Sequence, residues 1–498
     1  MAFALSWPQH PWHMVFVLAM FVVHLLLVAR AITRPNRIPA SRVAWVAAIM
    51  FLPLLGVVAY LMLGETSIGR ARIRRLRAAT KRLSPPAGEP CPADATGPRG
   101  ASLFDLARSI NGFHPVAGNR IVLLGDPDAM PDTPKRDCDA AIDALVADIE
   151  AAREHVHLGF YIWLDDNNGG RVVDALCAAA RRGVRCRAMV DALGSHGFIR
   201  STRWKQLREA GVRTHAMLDD VPRIGHLMIG RIDLRNHRKL AVIDNRIAYC
   251  GSQNCADPEF RVKPRFAPWI DMLLRCEGPV VRQAQSLFLA TWIAETGERG
   301  LEALPAAEPL PERCEGGAVA LMFGTGPGGR GNAMSDMFVA CMYAARSQLL
   351  VTTPYFVPDE AMLRALCAAP RRGVDTAIVF PARNDSWLVD KACRSAYADL
   401  LGSGVRVHEY PLGLLHAKSM TIDDELAMVG SANMDRRSLE LNYENNLLVA
   451  DRDAVAAIRR RQQGYLSVSR VVAPDEARAW PFHERLVQNA VGMMSPVL

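Results

Sequence analysis

Two long apolar runs open the chain. From Met14 to Val28 (MVFVLAMFVVHLLLV) His24 is the sole polar side chain, and from Val43 to Leu63 (VAWVAAIMFLPLLGVVAYLML) there is no charge. Each comes close to the about 20 apolar residues that cross a bilayer, the first once its flanks are included, so the pattern predicts two transmembrane helices in a hairpin. A cleaved signal peptide would begin with basic residues, but none precedes Arg30, and the second run follows at once. Farther along, the periodicity changes. Ala140 to Arg153 reads as a helix, His155 to Trp163 as a strand, Arg171 to Arg182 as a helix closed by Gly183, and Arg185 to Asp191 as a strand; the same order returns from Met334 to Phe380. Helices alternating with apolar strands predict an α/β fold of mostly parallel sheets flanked by helices.

The return is a true repeat. AAREHVHLGFYIW from Ala151 matches AARSQLLVTTPYF from Ala344, ALCAAARRGV from Ala175 matches ALCAAPRRGV from Ala365, and GVRTH from Gly211 matches GVRVH from Gly404. The chain thus divides into an apolar anchor (1–65), a basic segment and Pro/Gly-rich linker (66–104), a first half (105–315) and a second half (316–498), the halves packing pseudo-symmetrically. Between His215 and His237 the first half carries about 14 extra residues, whose Ile224, Leu227, Met228 and Ile229 form a candidate lipid-facing lip. Near the end, Leu486, Ala490, Met493 and Val497 fall on one face of a helix, a stripe expected to pack inward.

Composition fits this layout. At 498 residues and 50% hydrophobic, the chain can fill more than one core, since single cores stop growing near about 250 to 300 residues. Lys plus Arg outnumber Asp plus Glu by 59 to 51, which suits an anionic membrane surface or nucleic acid. Arg30, Arg34, Arg37 and Arg42 lie between the apolar runs, and Arg70, Arg72, Arg74, Arg75, Arg77, Lys81 and Arg82 follow the second, a balance that favours a cytoplasmic catalytic part. The eleven cysteines are scattered, with no CxxC pair, and read as reduced thiols.

The chemistry lies in a second kind of repetition. NHRKLAVIDNRIAYCGSQN (236–254) and LLHAKSMTIDDELAMVGSAN (414–433) share His-x-Lys, four residues, Asp, six residues, then Gly-Ser-x-Asn. The first copy supplies His237, Lys239, Asp244, Gly251, Ser252 and Asn254; the second supplies His416, Lys418, Asp423, Gly430, Ser431 and Asn433. On a strand, His and Lys two apart share a face, whereas Asp five residues on has the wrong parity. Asp244 and Asp423 are therefore expected to be structural. Two His, two Lys, two Ser and two Asn in one pocket suit a phosphodiester: lysines and polar groups hold the non-bridging oxygens, one imidazole attacks phosphorus, and the other protonates the leaving alkoxide. The lysines supply the fixed positive charge, so no metal or other cofactor is expected. Downstream, WIDMLLR (269–275) and NYENNLLV (442–449) place Asp271 and Glu444 at matching positions as carboxylates to orient the histidines. Tyr161, Trp163, Tyr355 and Phe356 end matching strands, either lining the pocket or filling the core.

The doubled HxK(x)4D motif resembles the phospholipase D superfamily, and with the apolar anchor, TPYFVPD, MDRRS and the terminal SPVL the chain is similar to bacterial cardiolipin synthases. The resemblance implies two phospholipase D-like halves, His237 as nucleophile, His416 as acid and base, and a phosphohistidine intermediate. It implies transfer of a phosphatidyl group from one phosphatidylglycerol to another, in a multi-pass protein of the bacterial inner membrane. The expected partners are phosphatidylglycerol and membrane lipids, not nucleic acid; oligomeric state stays open, and hydrolysis to phosphatidic acid remains the alternative outcome.

Overall fold

Pro53 interrupts the second apolar run. The structure, a computed structural model, describes residues 11–34, 39–64, 69–91, 93–125, 134–220, 234–307 and 312–493; the candidate lip at Ile224 to Ile229 lies outside them. The N-terminal segment up to Gly69 is one compact unit. It comprises α1 (Pro11–Thr33), α2 (Pro39–Phe51) and α3 (Pro53–Ala59), the last running into a π turn, Tyr60–Gly64. Among the described residues, one helix is long and apolar enough to cross a membrane, at Met14–Thr33. Its Phe16, Leu18, Phe21 and Leu26 are each more than 60% exposed, a surface that calls for lipid. The second expected span is not one continuous helix. Proline has no N–H to donate and its ring crowds the preceding turn, so Leu52 leaves helical geometry at φ −123°. The His24 ring reaches the Pro53 carbonyl at 2.9 Å and ties α1 to this break.

The second unit, Arg70–Asp219 with Leu234–Ser495, is built on one sheet of fifteen strands. The first half contributes β1 (Val116–Leu123), β2 (His155–Phe160), β3 (Arg185–Asp191), β4 (Arg213–Met217), β5 (Lys239–Ile243), β6 (Ile247–Gly251) and β7 (Leu273–Glu277). The second contributes β8 (Ala318–Thr325), β9 (Gln348–Thr352), β10 (Asp375–Pro381), β11 (Arg406–Tyr410), β12 (Ser419–Ile422), β13 (Leu426–Gly430), β14 (Glu444–Ala450) and β15 (Arg470–Val471). The order is β15-β11-β10-β9-β12-β13-β14-β8-β1-β7-β6-β5-β2-β3-β4. Apart from the edge strand β15, it reads the same from either end once the halves are exchanged, with the pseudo-twofold between β8 and β1.

The expectation of a mostly parallel sheet in each half is corrected. Within the fifteen-stranded sheet, pairing is parallel only along β2-β3-β4 and β9-β10-β11, where helices make the crossovers, and antiparallel elsewhere. Three-residue turns join β5 to β6 and β12 to β13, too short for a crossover, and strands joined this way run antiparallel. The halves also share one sheet, because β1 and β8 pair across the pseudo-twofold. Two large cores fill the unit, one around Leu158, Trp163, Leu176 and Val190, the other around Phe323, Phe338, Leu366 and Phe380, with a small cluster of Phe260, Trp269 and Leu414 beside them.

Residues 66–104, expected as a basic segment and linker, hold α4 (Arg70–Arg82) and the start of a helix, Gly97–Asn111, whose Leu103 and Phe104 enter the second core. Arg72 of α4 is buried in an ion pair with Glu295 at 2.9 Å. Leu486, Ala490 and Met493 of the C-terminal stripe fall on a helix, Phe482–Met493, with the opposite facing: Leu486 and Met493 are exposed, while Gln488 and Val491 are buried; Val497 lies outside the described residues. Its periodicity specified a helix but not which side meets a neighbour.

Candidate active site

Each motif histidine lies just before a central strand, where its backbone pairs with the other half. Leu414–Leu415 runs parallel to Trp269–Ile270, and His416 N–H donates to the Ile270 carbonyl at 2.7 Å. Asn236 bridges Tyr443 in the same sense, and His237 N–H donates to the Tyr443 carbonyl at 2.9 Å. These pairings set each imidazole beside the carboxylate that follows its partner segment. His237 Nδ1–H donates to Glu444 at 2.9 and 3.0 Å, and His416 Nδ1–H donates to Asp271 at 2.6 Å. Each histidine is thus oriented by a carboxylate from the opposite half, with Nε2 left for chemistry.

The lysines repeat the symmetry. Lys239 Nζ donates to the His237 carbonyl at 2.8 Å, and Lys418 Nζ to the His416 carbonyl at 2.6 Å, both from almost fully buried positions. The asparagines are buried too, and Asn254 Nδ2 and Asn433 Oδ1 have no hydrogen-bond partner among the described residues. Buried amides left open in this way need a further partner.

The motif serines, expected beside the substrate, are held by the orienting carboxylates. Gly251 pairs with Leu273 and Gly430 with Asn446, a register that brings the next residue beside the orienting carboxylate. Ser252 Oγ–H donates to Asp271 at 2.6 Å and Ser431 Oγ–H donates to Glu444. In return the hydroxyls accept from Met272 N at 3.0 Å and Asn445 N at 2.9 Å.

Asp244 and Asp423 face away from the pocket. Each opens its hairpin turn with a positive φ, 49° and 52°, a backbone region that aspartate tolerates better than most residues. The Asp244 carboxylate accepts the backbone N–H groups of Arg153, Glu154 and His155, each at 2.8 Å. Asp423 accepts from the backbone of Arg346, Ser347 and Gln348, from the Ser347 hydroxyl, and from Arg99 at 2.6 Å. Both clamp the start of a central parallel strand, β2 or β9.

Of the strand-end aromatics, the first of each pair reaches the site and the second fills core. Tyr161 meets His237 edge-on, ring centroids 4.9 Å apart, with Lys239 Nζ over its ring at 5.2 Å; Tyr355 stands edge-on to His416 at 6.5 Å. Trp163 and Phe356 are fully buried. Sequence reasoning missed Trp269, which stacks on His416 at 4.6 Å and 19° and is itself stacked on Phe260. Its place in the second half is taken by Asn442, whose amide donates to Glu444 at 3.2 Å. That mismatch between otherwise aligned segments was the available signal.

Burial pushes the His237 imidazole down to about 3 and the His416 imidazole down to about 4; Lys239 and Lys418 push the same way, while the paired carboxylates oppose them. Both rings rest neutral at pH 7. Burial alone would raise Asp271 and Glu444, but the charged and hydrogen-bonding groups around them hold both below the usual carboxylate range. Burial lowers Lys239 to about 8 and Lys418 well below its usual value, against the pull of the same two carboxylates. Among the described residues, no group of three His, Cys, Asp or Glu side chains is arranged to hold a metal ion, and all eleven cysteines are free.

A family model described as "Cardiolipin synthase, PLD-like domain" matches residues 145–287 and 338–464, one motif in each span. The chain belongs to the phospholipase D-like cardiolipin synthase family. A second model, "Phospholipase_D-nuclease N-terminal", matches residues 16–65. The chain is 37% identical over 479 residues to cardiolipin synthase A of Cronobacter sakazakii, covering 94% of this chain and 95% of that one. It is 36% identical over 492 residues to cardiolipin synthase A of Salmonella arizonae, covering 97% and 98%. The fold is similar to that of phosphatidylserine synthase from Haemophilus influenzae Rd KW20, at TM-score 0.56 and 12% identity, covering 80% of this chain and 100% of that one. Along the cardiolipin synthase-like chain, the spans that match the first model contain His237 and His416 but leave α4 and the helix Gly97–Asn111 outside.

Proposed function

We propose that the protein is a cardiolipin synthase that works through a covalent phosphohistidine. The observation that carries the proposal is the pair of buried imidazoles, each with Nδ1 tied to a carboxylate of the other half and each accompanied by a buried lysine. Near full-length likeness to proteins named cardiolipin synthase A supplies the substrate class. One phosphatidylglycerol enters with its phosphodiester held by Lys239, Lys418, Asn254 and Asn433. The anionic phosphodiester raises the basicity of His416, whose Nε2 takes up a proton from water as the substrate binds; the His237 Nε2 lone pair then forms the N–P bond as the P–O bond to glycerol breaks, and His416 gives that Nε2 proton to the leaving oxygen. A hydroxyl of a second phosphatidylglycerol then attacks phosphorus, His416 takes its proton, and the P–N bond breaks to release cardiolipin.

The asymmetry between Trp269 and Asn442 supports this division of labour. An aromatic face stabilises a cation stacked on it, so Trp269 favours the imidazolium that His416 must become. His237 has no such stack, and its carboxylate is shared with Ser431 and Asn442. His237 is therefore the better neutral nucleophile. The anionic substrate adds to the same bias by raising the basicity of the nearby imidazole.

The anchor is read as passing the membrane twice, α1 as one pass and α2 with α3 and the π turn as a broken second, in the bacterial inner membrane with the catalytic unit cytoplasmic. The seven Lys and Arg residues from Arg70 to Arg82 that follow the second run, against four arginines in the connection, support that orientation. Purified full-length protein incubated with phosphatidylglycerol labelled in its phosphatidyl group should release glycerol and form cardiolipin, and a denaturing quench at alkaline pH, where the P–N bond survives, should find label on His237. Phosphatidic acid as the main product would replace the synthase reading with a hydrolase. Label on another residue would sink the assigned nucleophile.

A further inference from the structure

A cavity of about 530 Å³ lies within the larger unit, and neither motif histidine lines it. Its volume falls in the range of small-ligand sites. Leu76, Ile110, Phe113 and Leu287 give it apolar walls, and the run from Gly324 to Gly329 brings backbone to its edge. Arg77 and Lys81 of α4 also line it and are exposed.

Its most unusual wall residue is Arg238, the residue between His237 and Lys239. This guanidinium is 8% exposed and donates to the carbonyls of Glu444 at 3.1 Å, Leu287 at 3.2 Å and Thr325 at 3.4 Å, and to Thr291 Oγ1 at 2.7 Å. Every one of these acceptors is neutral, and Arg238 forms no ion pair among the described residues. Burial lowers it only to about 10, so the charge persists at pH 7. Thr325, also 8% exposed, has an Oγ1 with no partner among the described residues. The Tyr443 ring, 5.6 Å from the guanidinium, and the Glu444 charge offset part of the cost of burying this cation, and an anion in the adjacent open space would offset more. The apolar walls require that the anion carry hydrocarbon.

We infer that this cavity is a binding site for an anionic phospholipid, separate from the catalytic pocket. Arg77 and Lys81 draw its phosphate, Arg238 adds buried positive charge, and the acyl portion packs on Leu76, Ile110, Phe113 and Leu287. The wall touches the catalytic machinery through backbone alone, since the Glu444 carbonyl accepts from Arg238 and the Tyr443 carbonyl from His237 N–H.

The test uses full-length protein in neutral detergent with phosphatidylglycerol carrying a photoreactive diazirine in one acyl chain. Peptide mapping should find label on residues 76–86 or 110–113, in wild type and in His237→Ala alike, so the result does not depend on the proposed catalytic role. Arg77→Gln/Lys81→Gln, a change at exposed positions, should cut that label about thirtyfold, the scale of losing two cations that attract an anionic lipid. Ala290→Trp, which fills the cavity from the helix Val281–Thr296, should abolish it. Excess short-chain phosphatidic acid should displace the probe, while short-chain phosphatidylcholine and inorganic phosphate at the same concentration should not. Label that survives either variant in folded protein overturns the proposal, as does equal displacement by phosphatidylcholine or by inorganic phosphate.

Discussion

Replacing Asp423 by Asn separates structure from chemistry within the motif. The carboxylate accepts three backbone N–H groups, the Ser347 hydroxyl and Arg99, at 2.6 to 3.2 Å, and its side chain is 9% exposed. An amide keeps one acceptor oxygen but points an NH2 group at donors, so about two charge-assisted bonds are lost. At roughly 1.5 to 3 kcal/mol each, partly recovered by water near the half-exposed Arg99, the net loss of stability is about 3 kcal/mol. Urea unfolding of the detergent-solubilised protein reads this as a lower midpoint. Turnover per folded molecule should stay within about threefold of wild type, whereas loss of a general acid or base costs roughly 10²- to 10⁴-fold. The gap should also depend on pH. The surrounding N–H donors and Arg99 hold Asp423 well below its usual range, so its contribution is full above about pH 5 and fades as pH falls through the unfolded carboxylate value near 4 toward the folded one. An Asp423→Asn protein with normal stability and thousandfold lower turnover would refute the clamp assignment.

Glu444→Gln should lower cardiolipin formation per folded molecule by about 10³- to 10⁴-fold, because the amide no longer holds the Nδ1–H tautomer of His237, and should also lower stability, because its NH2 faces donors; kcat normalised to folded protein with a parallel circular-dichroism melt checks both. Trp269→Leu should slow turnover roughly 5- to 30-fold, the worth of about 1 to 2 kcal/mol of cation stacking on His416, and rescue by Trp269→Phe distinguishes stacking from general packing. Activity should decline as pH rises through about 8, where Lys239 loses the charge that holds the phosphodiester; a kcat/KM profile flat to pH 10 would refute that role.

What the sequence disclosed depended on range. The residues gathered at the site were legible because duplication wrote them twice at fixed spacing, and the helix and strand rhythm was legible because it is local. Sheet polarity was not, because the three-residue turns begin with Asp244 and Asp423, and an aspartate in a catalytic motif does not advertise itself as a turn residue. Nothing local said that Asp271 would serve His416 and Glu444 His237, because that exchange is fixed by the pairing of Leu414–Leu415 with Trp269–Ile270 and of Asn236 with Tyr443. The bonds of Ser252 and Ser431 were hidden for a related reason: a hydroxyl bonds whatever the register sets beside it, here the orienting carboxylates. The break at Pro53 was visible in the residues themselves, but uniform hydropathy concealed it.

The exchanged carboxylates also place the enzyme's onset in time. His237 and Glu444 are separated by 207 positions, so a ribosome adding about 5 to 20 residues per second delivers the second partner roughly 10 to 40 s after the first. Throughout that interval the anchor and first half already exist while His237 lacks its orienting group. A partly made chain therefore sits among phospholipids without the means to cleave them.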